Sequence, residues 1–203
     1  MNSENNISKE EADKIMAAPG EIRGLAIKAN WDYLRKVKGP EVVLIIEEEF
    51  IRLGYPFPYK GIKILSFYSA GYDALLLLML ERFFHVQEDG FVEMGADGVK
   101  SSILMKVVIK YFASVEKAVI QAVKIWPRYY TIGKLEAVEI SEEKRRIILR
   151  LRNFSAPHRK SVCHGIRGYM SQIAEIILKQ KVRSRELKCM YDGDSCHEFL
   201  LEW

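Results

Sequence analysis

The last forty residues of this 203-residue chain constrain its fold more than any other stretch. From Ser161 to Trp203 the sequence reads as a helix followed by a β-hairpin, and it holds all three cysteines, Cys163, Cys189 and Cys196. Asp192-Gly193 is a strong signal for a two-residue turn, because such turns need positive φ at their central positions. With those two residues as the loop, Tyr191 faces Asp194, Met190 faces Ser195 and Cys189 faces Cys196. Directly opposed residues have Cβ atoms roughly 4.5–5.5 Å apart. Two sulfurs so placed can share a metal or oxidise to a disulfide.

The rest of the chain favours the metal. The N-terminus, Met1 to Asp13, is polar and acidic, unlike a secretory segment. The longest apolar run, Ala74 to Leu80, falls far short of the roughly 18 residues that span a bilayer. The expectation is a cytoplasmic protein with no membrane insertion, in a compartment that keeps thiols reduced. An odd number of cysteines also suits a disulfide framework poorly. Net charge is +4 with both signs interleaved, so nucleic acid is not an expected partner. Lys144-Arg145-Arg146 and the segment Lys179 to Lys188 read as solvated faces.

Upstream, residues 1–19 read as a flexible tail ending at Pro19-Gly20, and residues 20–203 as a single domain. Its helical part, 20–133, opens with Ile22, Leu25, Ala26, Ala29 and Tyr33 on one stripe. A second helix after Gly39-Pro40 buries Val43, Ile46 and Phe50. Tyr55 to Ser69 is an aromatic-rich connection with one short strand. Tyr72 to His85 is apolar nearly all round, which marks a central helix. Gly90 to Gly98 reads as a loop. Leu104, Val107, Val108, Tyr111 and Phe112 mark one further helix. Val115, Ala118, Ala122, Ile125 and Trp126 mark another, with Ser114 as its N-cap.

The period then changes. Ile147, Leu149 and Leu151 alternate with Ile148, Arg150 and Arg152, the rhythm of a half-buried strand. Glu136 to Ile140 is its partner across Ser141-Glu142-Glu143. A helix entered at Pro157 puts Cys163, Ile166, Met170, Ile173 and Ile177 on one stripe, and strands at about 183–191 and 195–203 follow. The predicted class is α+β, with a helical N-terminal two-thirds packed on a small antiparallel β-β-α-β-β unit (134–203).

Three sulfurs, two cross-strand and one from the packed helix, supply three ligands of a tetrahedral site. Glu186, His164, His197 and His158 compete to be the fourth. Glu186 and Cys189 differ by an odd count, so a regular strand aims them at opposite faces. Cys196 is likewise out of step with Phe199, Leu201 and Trp203. A bulge reconciles this. The plainer alternative is three buried cysteines serving as small apolar residues.

Cys163 and the run from Arg185-Glu186-Leu187-Lys188-Cys189 through Gly193 and Cys196 to Phe199 resemble the C-terminal signature of vinyl-reductase-type hydrocarbon-binding (4-vinyl reductase) domains. That family is similar in fold to TRAPP trafficking subunits and to haem nitric-oxide-binding domains. The resemblance covers the last forty residues. It implies Cys163, Glu186, Cys189 and Cys196 as ligands of a structural Zn2+, and a small hydrophobic or aromatic ligand held between sheet and helices. It also implies a homodimer and a protein signalling partner. Phe67, Tyr68, Tyr72, Phe83, Tyr111, Phe112, Trp126, Tyr129, Tyr130 and Phe154 are available to line such a pocket; any one of them serves equally as core.

Two alternatives stand beside this sensory reading. One is a scaffold of the trafficking-subunit type with its cavity filled by its own side chains. The other is a haem gas sensor using His85, although the Tyr-x-Ser-x-Arg motif that holds haem propionates in haem-binding relatives is absent. Ser161 and His164 lie three apart on one helix, a common coincidence, and no phosphate-loop glycine pattern occurs. The chain is therefore not expected to be an enzyme.

Overall fold

A computed structural model describes residues 6–101, 114–154 and 159–203. The α+β expectation holds, with helices through the first two-thirds and a four-stranded antiparallel sheet after them. The N-terminal segment departs from the expected tail. From Ser8 it forms α1 (Lys9–Ala17), capped by the Ser8 hydroxyl, which accepts from Glu11 N at 3.1 Å. Ile7 and Ala12 are fully buried, and Arg82 grips the Glu11 carboxylate with both nitrogens (2.7 and 2.8 Å). Two apolar contacts and one forked ion pair thus outweigh the polar composition that suggested a loose end.

Strand β1 (Glu21–Arg23) pairs with β2 (Phe67–Ser69) as a small antiparallel ribbon, and Tyr130 bridges to Ile22. Helices α2 (Gly24–Lys38) and α3 (Glu41–Arg52) pack their apolar stripes around Trp31 and Phe50, whose rings stack at 6.1 Å. Helix α4 (Ala70–Phe84) is central as expected: of the eleven residues from Ala70 to Leu80, all but Tyr72 are buried.

The glycine-containing stretch 90–98 is not a loop. It lies within helix α5 (Glu88–Ser101). Its glycines serve a crossing with α7 (Lys160–Leu178), where the two backbones touch. A Cβ on Gly95 would sit 1.9 Å from the Gly165 carbonyl oxygen, and one on Gly168 would sit 1.9 Å from that of Val92. Glycine costs helix propensity, but only glycine lets the axes come this close. Helix α6 (Val115–Ile125) starts at the predicted cap, Ser114, whose hydroxyl accepts from Lys117 N. The helix expected around 104–112 lies outside the described residues, as does Pro157.

The sheet runs in the order β3-β4-β6-β5, with β3 (Lys134–Ser141), β4 (Arg146–Arg152), β5 (Arg183–Lys188) and β6 (His197–Glu202). Ile147, Leu149 and Leu151 face inward on β4, as their alternation predicts. Both edge strands carry an irregularity, between Ala137 and Glu139 on β3 and between Glu186 and Lys188 on β5. One continuous core runs from Ile7 through α4 to Leu201.

Candidate functional site

The hairpin between β5 and β6 is longer than a two-residue turn. Met190–Asp192 forms a 3-10 turn, and Gly193 takes the left-handed conformation (φ 97°) that favours glycine. The Cys189 carbonyl accepts from Asp192 N and Asp194 N, while the Asp194 carboxylate accepts from Cys189 N at 2.8 Å. This closed turn moves the pairing on by one residue. Lys188 pairs with Glu198, so the next residues inward are Cys189 and His197. The expected Cys189–Cys196 pairing is corrected accordingly.

The bulge at Leu187 does what the phase argument required: it brings Glu186 and Cys189 to one face. Ligand atoms of Cys163, Glu186, Cys189 and His197 all lie within 4.8 Å of one another. Cys196 is not among them. It is buried but in step with Glu198, on the side where Arg150 pairs with that carboxylate (2.7 and 2.9 Å). Of the four residues the resemblance implies, the structure thus assembles three and substitutes His197 for Cys196. The signal was present in the sequence: His197, Phe199 and Leu201 share one parity, and Cys196 breaks it.

His197 is the hub. Its ring has no solvent exposure. Nδ1 lies 3.1 Å from Glu186 Oε1 and 3.4 Å from Cys163 Sγ, and it accepts from Met190 N at 3.4 Å. Nε2 lies 3.4 Å from the Phe154 carbonyl. Because Met190 N can only donate, this network places the proton on Nε2 and leaves the Nδ1 lone pair facing the sulfurs. A backbone carbonyl orienting the far ring nitrogen is the arrangement that second-shell groups give to metal-ligating histidines. Burial pushes the Cys163 thiol up, with the Glu186 charge and the Cys189 sulfur adding to it; burial is also the largest cause of the raised Cys189. Two sulfurs, an imidazole and a carboxylate form a donor set suited to a soft or borderline cation, which would displace the thiol protons.

The remaining histidines lie elsewhere. His164 sits at the α5–α7 contact, 3.9 Å from Glu88, and burial lowers its pKa. His85 is an exposed, left-handed cap at the end of α4 (φ 51°). His158 lies outside the described residues. Ser161 Oγ and His164 Nδ1 are both buried without a hydrogen-bond partner, so these two residues do not form a nucleophile–base pair.

The aromatic residues expected to line one pocket separate into two groups. Phe67, Tyr68 and Tyr72 belong to the helical end. Tyr72 stacks on Phe57 at 4.1 Å, Tyr68 meets Phe57 edge-on, and Phe67 lies under the Arg23 guanidinium. Trp126, Tyr130 and Phe154 belong to the sheet side. Tyr130 stacks on Trp126 at 4.4 Å, both meet Phe154 edge-on at 5.7 Å, and Phe154 leads on to His197 at 6.3 Å. Phe83 is half-buried against the core, and Tyr129 is half-exposed beside Tyr130. Tyr111 and Phe112 lie outside the described residues.

No protein-family model matches the sequence, and no curated protein matches it. Solved structures do. An H-NOX protein from S. oneidensis in its Fe(II)NO ligation state is 14% identical, with a TM-score of 0.68 over 89% of this chain and 98% of its own. An oxygen-binding H-NOX domain related to soluble guanylate cyclases is 12% identical, with a TM-score of 0.63 over 89% of this chain and 94% of its own. An H-NOX structure from a study of haem distortion gives 15%, 0.63, 90% and 95%.

The fold is the H-NOX fold. These neighbours stand in the haem nitric-oxide-binding branch of the superfamily that the resemblance named; the finer vinyl-reductase assignment rests on the C-terminal motif alone. They also correct the expected cofactor. The group they carry is haem iron rather than structural zinc, and the four-residue set on which the zinc expectation stood includes Cys196, which does not join. The described histidines do not fit haem either. A haem needs an axial side chain aimed into an apolar slot, whereas His85 is exposed, His164 is held beside Glu88 and His197 is committed on both ring nitrogens.

Proposed function

We propose that the chain is a non-enzymatic small-molecule sensory domain that signals to a protein partner or through a homodimer. The observation that carries this reading is fold likeness over about nine-tenths of the chain to H-NOX domains described in NO-bound and oxygen-bound states. That likeness favours a haem-held gas over a free hydrocarbon as the ligand class. The placement of the described histidines weighs against haem, so the two classes need a direct test.

The absorption spectrum of protein purified after growth with a haem precursor supplies it. A Soret band that shifts under NO makes the domain a gas sensor. A spectrum without that band, joined to a melting temperature that rises with small organic ligands, makes it a haem-free sensor. Neither response overturns the sensory reading and leaves the scaffold.

We further infer that Cys163, Glu186, Cys189 and His197 act together as a cation site, on the strength of their convergent donor atoms. Elemental analysis of purified variants tests this. Bound transition metal is expected to fall in Cys163→Ser and His197→Ala and to persist in Cys196→Ser.

A further inference from the structure

Leu65 is the most exposed large apolar side chain among the described residues, at 75%, and its neighbour Ile64 is 45% exposed. Neither hangs on a loose loop. Ser66 N donates to Lys63 O at 3.1 Å, Leu25 N to Ile64 O at 3.0 Å, and Gly24 N to Ser66 O at 2.8 Å. Arg23 Nη1 donates to Leu65 O at 2.9 Å, and Lys63 N donates to the Tyr68 hydroxyl at 2.8 Å. The backbone of this tip is thus fixed against β1 and the start of α2 while its two aliphatic side chains face water. A single exposed apolar residue is ordinary; an adjacent pair held out by these hydrogen bonds is a presented surface.

The rim of the tip is basic. Lys63 precedes Ile64, and Lys60 lies in the 3-10 turn Tyr59–Gly61 just before it; both are exposed. Arg23 reaches the tip through Leu65 O, and its Nε donates to the Arg128 carbonyl, which brings exposed Arg128 to the same edge. Those partners are carbonyls, so they leave the Arg23 charge in place, and its guanidinium lies 4.4 Å over the Phe67 ring. Asp32 and Glu47 on this side both accept from Tyr59, through its hydroxyl and its N–H. Glu21, two residues before Arg23 on β1, is an exposed acid of the same edge. Four cations against it leave the edge positive. The exposed Leu44 and Ile51 of α3 sit instead among Glu41, Glu47 and Glu48.

We propose that the Lys60–Leu65 tip, with Arg23 and Arg128, docks on an anionic lipid surface. Ile64 and Leu65 enter the boundary between headgroups and acyl chains, and the cations meet the lipid phosphates and carboxylates. This mode needs no spanning segment, and no helix among the described residues is long and apolar enough to cross a membrane. A lipid surface suits the tip better than an acidic protein does. A stable protein contact covers about 800 Å² of each partner, whereas a bilayer closes round a projecting tip of any size. Lysines on flexible stems also follow mobile headgroups, while a protein interface holds each charge in one place. The proposal goes beyond the sensory reading and does not depend on it, since it concerns where the domain sits rather than what it senses.

The test is co-sedimentation of the full chain with two kinds of vesicle, phosphatidylcholine alone and phosphatidylcholine with about one-third phosphatidylserine. The chain is expected to pellet with the mixed vesicles and to stay in solution with the neutral ones. A basic residue at an anionic surface strengthens binding about fivefold, so the double variant Lys60→Gln/Lys63→Gln should weaken it roughly 20-fold. Leu65→Ser leaves the charge untouched and should weaken it about tenfold; Ile51→Ser on α3 should not change it. All four side chains are exposed, so the variants keep the fold, and circular dichroism melting checks that. Absence of pelleting with the mixed vesicles overturns the proposal. Equal pelleting with neutral vesicles overturns the role of the cations, and pelleting that neither Leu65→Ser nor the lysine variant weakens assigns the contact to another surface. If the mixed vesicles fail while soluble polyglutamate binds and the lysine variant abolishes that binding, the edge serves an acidic protein instead.

Discussion

At the scale of single residues, buried polar groups carry most of what is specific to this chain. Burial raises the Asp73 carboxyl from 3.8 to about 6. A carboxyl whose pKa is raised on folding contributes stability that is fully present below pH 3.8 and is lost as pH rises through about 6. Asp73→Asn should therefore be nearly neutral at pH 4 and stabilising at pH 8, on the order of 2–3 kcal/mol. Urea unfolding of both proteins at the two pH values measures it; a constant difference across pH would refute the charge argument. His197→Ala should cost about 2–4 kcal/mol, since it takes the ring acceptor from Met190 N and leaves a cavity where a fully buried side chain stood. Cys196→Ser should cost about 1 kcal/mol, and chemical denaturation ranks the two. The sequence brought Cys163, Glu186 and Cys189 to notice, but it counted Cys196 as the third sulfur and set His197 only as a rival of Glu186. Asp192-Gly193 suggested the shortest turn, whereas the Asp194 carboxylate caps a longer one on Cys189 N, an interaction no spacing rule reveals.

At the scale of elements, periodicity was readable and glycine was not. The alternation of Ile147, Leu149 and Leu151 marked β4, and the apolar run after Gly71 marked α4. The glycines of 90–98 suggested a loop because a single sequence does not show a partner backbone. Gly95 and Gly168 are packing residues of the α5–α7 crossing, so Gly168→Ala should cost about 3 kcal/mol or more, since the carbonyl it meets belongs to a helix that cannot yield alone. Thermal unfolding checks this; Gly193→Ala is no substitute control, because its positive φ strains alanine by itself. The two edge strands are guarded differently from central ones. Each has a bulge, with exposed Val138 or Leu187 at it, and β5 is lined with arginine and lysine. Both devices discourage pairing with another sheet edge.

At the scale of the whole molecule, the helical part and the sheet share one core, so they should not melt separately. Trp31 lies among the helices and Trp126 beside the sheet. The double variant Trp126→Phe/Trp203→Phe leaves Trp31 among the helices, and Trp31→Phe leaves Trp126 and Trp203 on the sheet side; their fluorescence transitions in urea are expected to coincide with the circular dichroism transition. Two separated midpoints would show independent units. The fold class was legible because the change from a period of 3.6 to a period of 2 falls at one place, near Gly133. The likeness to H-NOX domains was less so: at 12–15% identity it survives in backbone path rather than in side chains.

One consequence of the bare-backbone crossing reaches beyond stability. Helix α7 bears Cys163 near its start and the glycine seat along its middle, so it is a stiff lever resting on a fulcrum with no side-chain cushion. Whatever tugs at the sulfur end must swing the whole rod, and α5 must follow.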